Sequence, residues 1–140
     1  ILWTEAIRHA VVTGQIAIRP GIALLRPESR DYWTQAIDDA EAGNLNTHQN
    51  GFTVGALQCS WNAVYSVSDR SGEEAVRLGI ENAVRLGADT DTIAAIAGSL
   101  LGAAWGASSV PEAWREAVHG WPGLTGEQYA DLALAIISGN

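Results

Sequence analysis

The sequence predicts an all-α protein, on three observations. Apolar residues recur at three- and four-residue spacing in one segment after another, which is the period of a helix face. Start and stop signals bracket these segments: Ser71-Gly72-Glu73-Glu74, Ser109 with Glu112 and Thr125 with Gln128 at starts, and Gly14, Gly43 and Gly87 at ends. Outside the short stretch 15–18 nothing alternates at period two for long. About six or seven helices are expected, and no fixed repeat length relates them, which argues against a solenoid.

From the N-terminus, residues 2–12 carry Ile7, Ala10 and Val11 at helical spacing and end on Gly14. Pro20, Gly21 and Pro27 break the next stretch into a turn with a short helix at 22–25. A second long helix is predicted over 30–42, with Trp33, Ala36, Ile37 and Ala40 inward and Asp38, Asp39 and Glu41 on its solvated face. Residues 44–51 form a polar loop containing His48 and Asn50, a composition that suits sugar hydroxyls and ordinary turns alike. The helix over 52–65 points Val54, Leu57, Trp61 and Val64 inward. Another runs from the capping box at Ser71 to Leu86, where Asn82 on the apolar line needs a partner or a wet face. Past Gly106, helices are expected over 111–118 and from Thr125 to about Ile137, separated by a rigid Gly120-Trp121-Pro122-Gly123 turn.

The stretch 87–106 is where chemistry concentrates. After Asp91 no charge appears until Glu112, so the helix from about 91 to 106 has no polar face and is expected at the centre of the domain. Ala94, Gly98, Gly102 and Gly106 recur every fourth residue along one side. Each helical glycine costs about 1 kcal/mol against alanine, so a neighbouring helix is expected to cross closely over Gly98 and Gly102. At the entrance stand Asp89, Thr90, Asp91 and Thr92. They can cap the helix and complement its dipole. They also form a compact cluster of hard oxygen donors, as Mg2+ wants. An EF-hand does not fit, because the fifth and sixth positions from Asp89 are Ile93 and Ala94.

Composition excludes several classes. The 140 residues are 47% hydrophobic and 17% charged, which describes a folded chain with a core. The net charge of −8 offers no basic surface to a nucleic-acid backbone. The apolar stretch after Asp91 is built on alanine and glycine behind two acids, which favours a buried helix over a membrane span. The single cysteine, Cys59, allows no internal disulfide, suits a reducing, cytoplasmic compartment and reads as an inert core thiol. No Ser-His-Asp set, Cys-x-x-Cys pair, phosphate loop or His-Glu-x-x-His motif is present.

Residues 87–98, Gly-Ala-Asp-Thr-Asp-Thr-Ile-Ala-Ala-Ile-Ala-Gly, resemble the C-terminal metal-binding signature of the ADP-ribosylglycohydrolases, which include the dinitrogenase reductase-activating glycohydrolases. Residues 7–14 resemble a helix of the same family, as does the run from Asn50-Gly51-Phe52-Thr53 through Ser60-Trp61, so the resemblance covers nearly the whole chain in the family's order. It implies a multi-helix orthogonal bundle in which Asp89, Asp91 and Thr92 bind part of a binuclear Mg2+ or Mn2+ centre. Thr90, Asn50 and His48 would then support the loop or the substrate. Family members are about twice this length, within the usual domain range. Their N-terminal Thr-Asp-Asp cluster has no counterpart here, since Asp38-Asp39 and Glu73-Glu74 lack its context. Residues 1–140, which contain no methionine, are therefore expected to be the C-terminal portion of one all-helical domain, with the catalytic acids in the missing N-terminal half.

The reaction so implied is hydrolysis of the glycosidic bond between ADP-ribose and a protein side chain or small acceptor. The partners are an ADP-ribosylated protein or an ADP-ribose-containing small molecule, with no membrane or nucleic acid. The family also contains silent crystallins, so a binding or structural relative, or a plain helical interaction domain, is the alternative.

Overall fold

The computed structural model describes residues 1–139. Packing divides the chain into two compact units, Ile1–Ser109 and the residues from Val110 onward. The architecture is all-α, as the sequence predicts, apart from one two-stranded ladder. Among the described residues no helix is long and apolar enough to cross a membrane.

In the first unit, α1 (Leu2–Thr13) ends on left-handed Gly14. A 3₁₀ turn over Arg19–Leu24 leads to α2 (Pro27–Glu41), and a second over Thr47–Gln49 leads to α3 (Thr53–Tyr65). Next come α4 (Gly72–Arg85) and α5 (Thr90–Trp105). α1, α3 and α4 all pack on α5, and α2 packs on α3. The core gathers Ile37 from α2, Cys59 and Val64 from α3, Val76 and Ala83 from α4, and Ile93, Ala97, Leu100 and Leu101 from α5. The second unit contains α6 (Glu112–Ala117), strands β1 (His119–Gly120) and β2 (Leu124–Thr125) paired antiparallel, and α7 (Gly126–Ser138). The Thr125–Gln128 capping box forms, each partner bonding the other's backbone amide.

Several expectations change on contact with the structure. α5 is packed by α1, α3 and α4, yet its buried face is Ile93, Ala97, Leu100 and Leu101; the glycine row is only half-buried and ends in exposed Gly106. A Cβ at Gly102 would meet nothing within 4 Å, and one at Gly98 only the Ile80 side chain at 3.4 Å. The tight crossing of α4 on α5 lies instead at Gly79, where a Cβ would stand 2.6 Å from Leu101 Cδ1. α3 buries the most side chains: Ala56, Cys59, Ser60, Trp61, Ala63 and Val64.

Other differences are local. α2 starts a turn early because Pro27 suits the first helical position. Its Asp38 and Glu41 are bonded to Arg19 at 2.8 and 2.7 Å, and Glu41 also accepts from Trp61 Nε1 at 3.0 Å. That edge is an ion-pair seam between elements, not a freely solvated face. Val11 is exposed, so α1 packs through Leu2, Ala6 and Ala10. The Ser71 and Ser109 side chains do not cap; Ser109 bonds back to the Trp105 carbonyl at 2.7 Å. Asn82 finds its partner in Ser66 Oγ at 3.0 Å.

Candidate functional site

α4 ends at Arg85 with Leu86 as its C-cap, and Gly87 (φ 78°) and Ala88 (φ 55°) reverse the chain in two left-handed steps before α5 begins. Asp89 is the N-cap residue by position, and its carbonyl accepts the first helical bond, from Ile93 N–H at 3.2 Å. Its side chain accepts no bond from the helix's amides. The capping reading of the cluster is thus not realised through the Asp89 side chain.

Asp89 is half-buried and Asp91 exposed. The Asp91 carboxyl is held below the usual carboxylate range, first by a hydrogen bond with the Asp89 side chain and then by the backbone amides of Asp91 and Thr92. Two neighbouring carboxylates repel when both are ionised, unless a cation lies between them. Thr90 is half-buried in the first turn, and Thr92 is exposed.

The loop 44–51 reaches this turn through Asn50. The Asn50 side chain is 1% exposed; its Nδ2 donates to the Gly87 carbonyl at 2.9 Å and its Oδ1 accepts from the Asp89 amide at 3.0 Å. Gly51 then lies against the carboxylate, since a Cβ there would touch Asp89 Oδ2 at 3.4 Å. His48 sits exposed on the 3₁₀ turn two residues earlier. The structure therefore brings Asn50, Gly51, Asp89 and Asp91 together, with His48 on the rim of the same loop.

Beside them opens a cavity of about 650 Å³, whose wall includes Thr92, Gly51, Thr53, Trp3 and Trp33. Trp3 is pinned by its Nε1 bond to Ser99 Oγ at 3.2 Å. The sequence points to Thr92, to the loop with Gly51 and to an inward Trp33, but not to their meeting Trp3 and Thr53, because Trp3, Trp33 and Thr53 come from three helices that only the tertiary fold brings together.

The donor set is chemically suited to a hard divalent cation: two carboxylates and a hydroxyl on one helical turn. It is a partial shell, since such ions take about six or more oxygens, and among the described residues no group of three or more His, Cys, Asp or Glu side chains gathers.

Comparison with known proteins gives the chain its relatives. A 38-residue stretch is 47% identical to ADP-ribosylhydrolase ARH3 of Homo sapiens, and matches at the same identity and length are found in the Bos taurus and Mus musculus proteins. That stretch is 27% of this chain, and it spans about a tenth of the length of these relatives. No solved structure matches the chain. The family model for ADP-ribosylglycohydrolase, in contrast, matches residues 1–139. On that end-to-end match, the chain belongs to the ADP-ribosylglycohydrolase family.

Proposed function

We propose that this chain carries part of the divalent-cation site of an enzyme that hydrolyses the bond between ADP-ribose and a protein side chain or small acceptor. The observation that carries the reading is the acidic pair Asp89 and Asp91, not spent on capping by Asp89 and set beside an open cavity. Family membership and the printed name of the ARH3 relatives support hydrolase chemistry on ADP-ribose. Asp89, Asp91 and Thr92 are the residues that would hold Mg2+ or Mn2+ as a pair. When bound, such ions orient substrate hydroxyls and supply an activated water.

The chain's own residues divide the remaining work. Asp89, its backbone amide bonded to Asn50, and Asp91, its carboxyl bonded at the helix's first turn, offer the carboxylates, and the exposed Thr92 hydroxyl joins them. Thr90 and the Asn50 loop support the turn, and His48 stands where a substrate's polar groups would pass. Trp3 and Trp33 give the cavity beside the cluster an aromatic wall. The remaining ligands and the catalytic acid or base belong, on this reading, to the N-terminal half of the complete protein. Buried Cys59 suits a reducing, cytoplasmic location.

The test is turnover by the full-length protein on an ADP-ribosylated protein and on a small ADP-ribosyl acceptor, with and without EDTA. Release of ADP-ribose that EDTA abolishes, that Mg2+ or Mn2+ restores and that Asp89→Asn lowers by orders of magnitude is the expected result. The silent-relative alternative draws on the incomplete ligand group of this chain. It predicts no release under any of these conditions.

A further inference from the structure

We infer that Asn50 is the positioning residue of the acidic pair, the side chain that holds the turn aiming Asp89; the inference rests on the metal reading above. Ala88 is the one non-glycine residue with positive φ among the described residues. An L side chain is unfavourable there, and a conformation of this kind persists only where its surroundings impose it. Asn50 imposes it. Its two amide atoms take the peptide groups on either side of Ala88, the Gly87 carbonyl at 2.9 Å and the Asp89 N–H at 3.0 Å.

One neutral side chain must donate on one side and accept on the other, which the amide of Asn50 does and a carboxylate cannot. At 1% exposure the Asn50 amide is out of water, and burial strengthens its bonds to the half-buried turn. The clasp is itself held from behind. A Cβ at Gly55 would stand 2.5 Å from the Gln49 carbonyl oxygen, so only glycine lets the loop bear this closely on α3. Without the clasp, Ala88 relaxes toward a right-handed or extended conformation and swings Asp89 away from Asp91 and Gly51.

The test compares Asn50→Ala, Ala88→Gly and the double variant in the full-length protein, by Mn2+ titration calorimetry, thermal melts and hydrogen exchange at the Asp89 amide. Asn50→Ala should speed exchange at Asp89 and weaken Mn2+ binding about tenfold or more. Ala88→Gly alone should keep affinity within about twofold, because the clasp remains and glycine accepts positive φ. The double variant, relieved of the left-handed alanine, should recover thermal stability but not affinity. Recovery of affinity together with stability would show that Asn50 acts only through the fold, and unchanged Asp89 exchange in Asn50→Ala would overturn the clasp outright. If wild type binds no Mn2+, the metal reading fails, and exchange at Asp89 by itself decides whether Asn50 holds the turn.

Discussion

Asp89 and Asp91 lie two residues apart, yet their surroundings differ in kind. Asp89 has its backbone amide bonded to Asn50 and its carboxylate against Gly51, whereas Asp91 is open to solvent. The type and place of these acids are legible in the sequence, because two carboxylates and two hydroxyls at the mouth of an apolar helix stand out from any ordinary cap. The burial of Asn50 is not legible, since a polar loop residue looks the same whether it faces water or closes a turn 39 positions away. Cys59 shows the opposite case: its apolar neighbours announce a core thiol, and it is fully buried with its thiol pushed up by desolvation. The fold favours the neutral thiol, so up to its ordinary value of 9.0 this group is indifferent, and above it the unfolded chain gains by ionising first. A thiol reagent at pH 8 should therefore label Cys59 only at the rate of opening, with full labelling in denaturant. Immediate labelling of the native chain would show that the site around Cys59 is not closed.

α5 shows where pattern reasoning succeeds and where it stops at the level of an element. Its lack of charge places it among α1, α3 and α4, as the structure finds. Its glycine row does not say which partner comes near, because glycine permits close approach without requiring it. The contact that needs a missing side chain is Gly79 of α4 against Leu101, and nothing local distinguishes Gly79 from the other helical glycines. The two kinds of glycine separate by substitution. Gly79→Val must displace fully buried Leu101 and should cost about 1–3 kcal/mol. Gly102→Ala meets open space within α5 and should stabilise the chain by about 0.5–1 kcal/mol through helix propensity. Denaturant melts of both variants check this; destabilisation by Gly102→Ala would restore the close crossing that the sequence suggested. Helix caps divide similarly: Thr125–Gln128 closes as its spacing predicts, while Ser71 has the same signature and leaves its helix uncapped.

On the scale of the whole molecule, much apolar surface lies open. No residue of α7 is buried, and Ile136 and Ile137 are 72% and 82% exposed; in the other unit Val11, Val12 and Phe52 are 67% or more exposed. Apolar surface of this extent favours association, so the 140-residue chain made alone should self-associate, with a sedimentation coefficient that rises with concentration. A constant monomer value would show that these faces are stable in water. At the site the chain gathers two acids and a hydroxyl, fewer oxygen donors than the cation of the proposed function takes. The claim that these acids bind a metal is tested most directly by titrating Mn2+ calorimetrically into the full-length protein and its Asp91→Asn variant. Asp91 lies in the first turn and not at the N-cap, so asparagine keeps the shape and loses only an exposed charge's weak interaction with the helix dipole; a role in the fold alone predicts a slight change in melting and equal titrations. The metal account predicts saturable binding to wild type and affinity weakened about tenfold or more in Asp91→Asn, with the melting temperatures of the metal-free proteins nearly the same. Equal binding in both, or no binding in either, would contradict it.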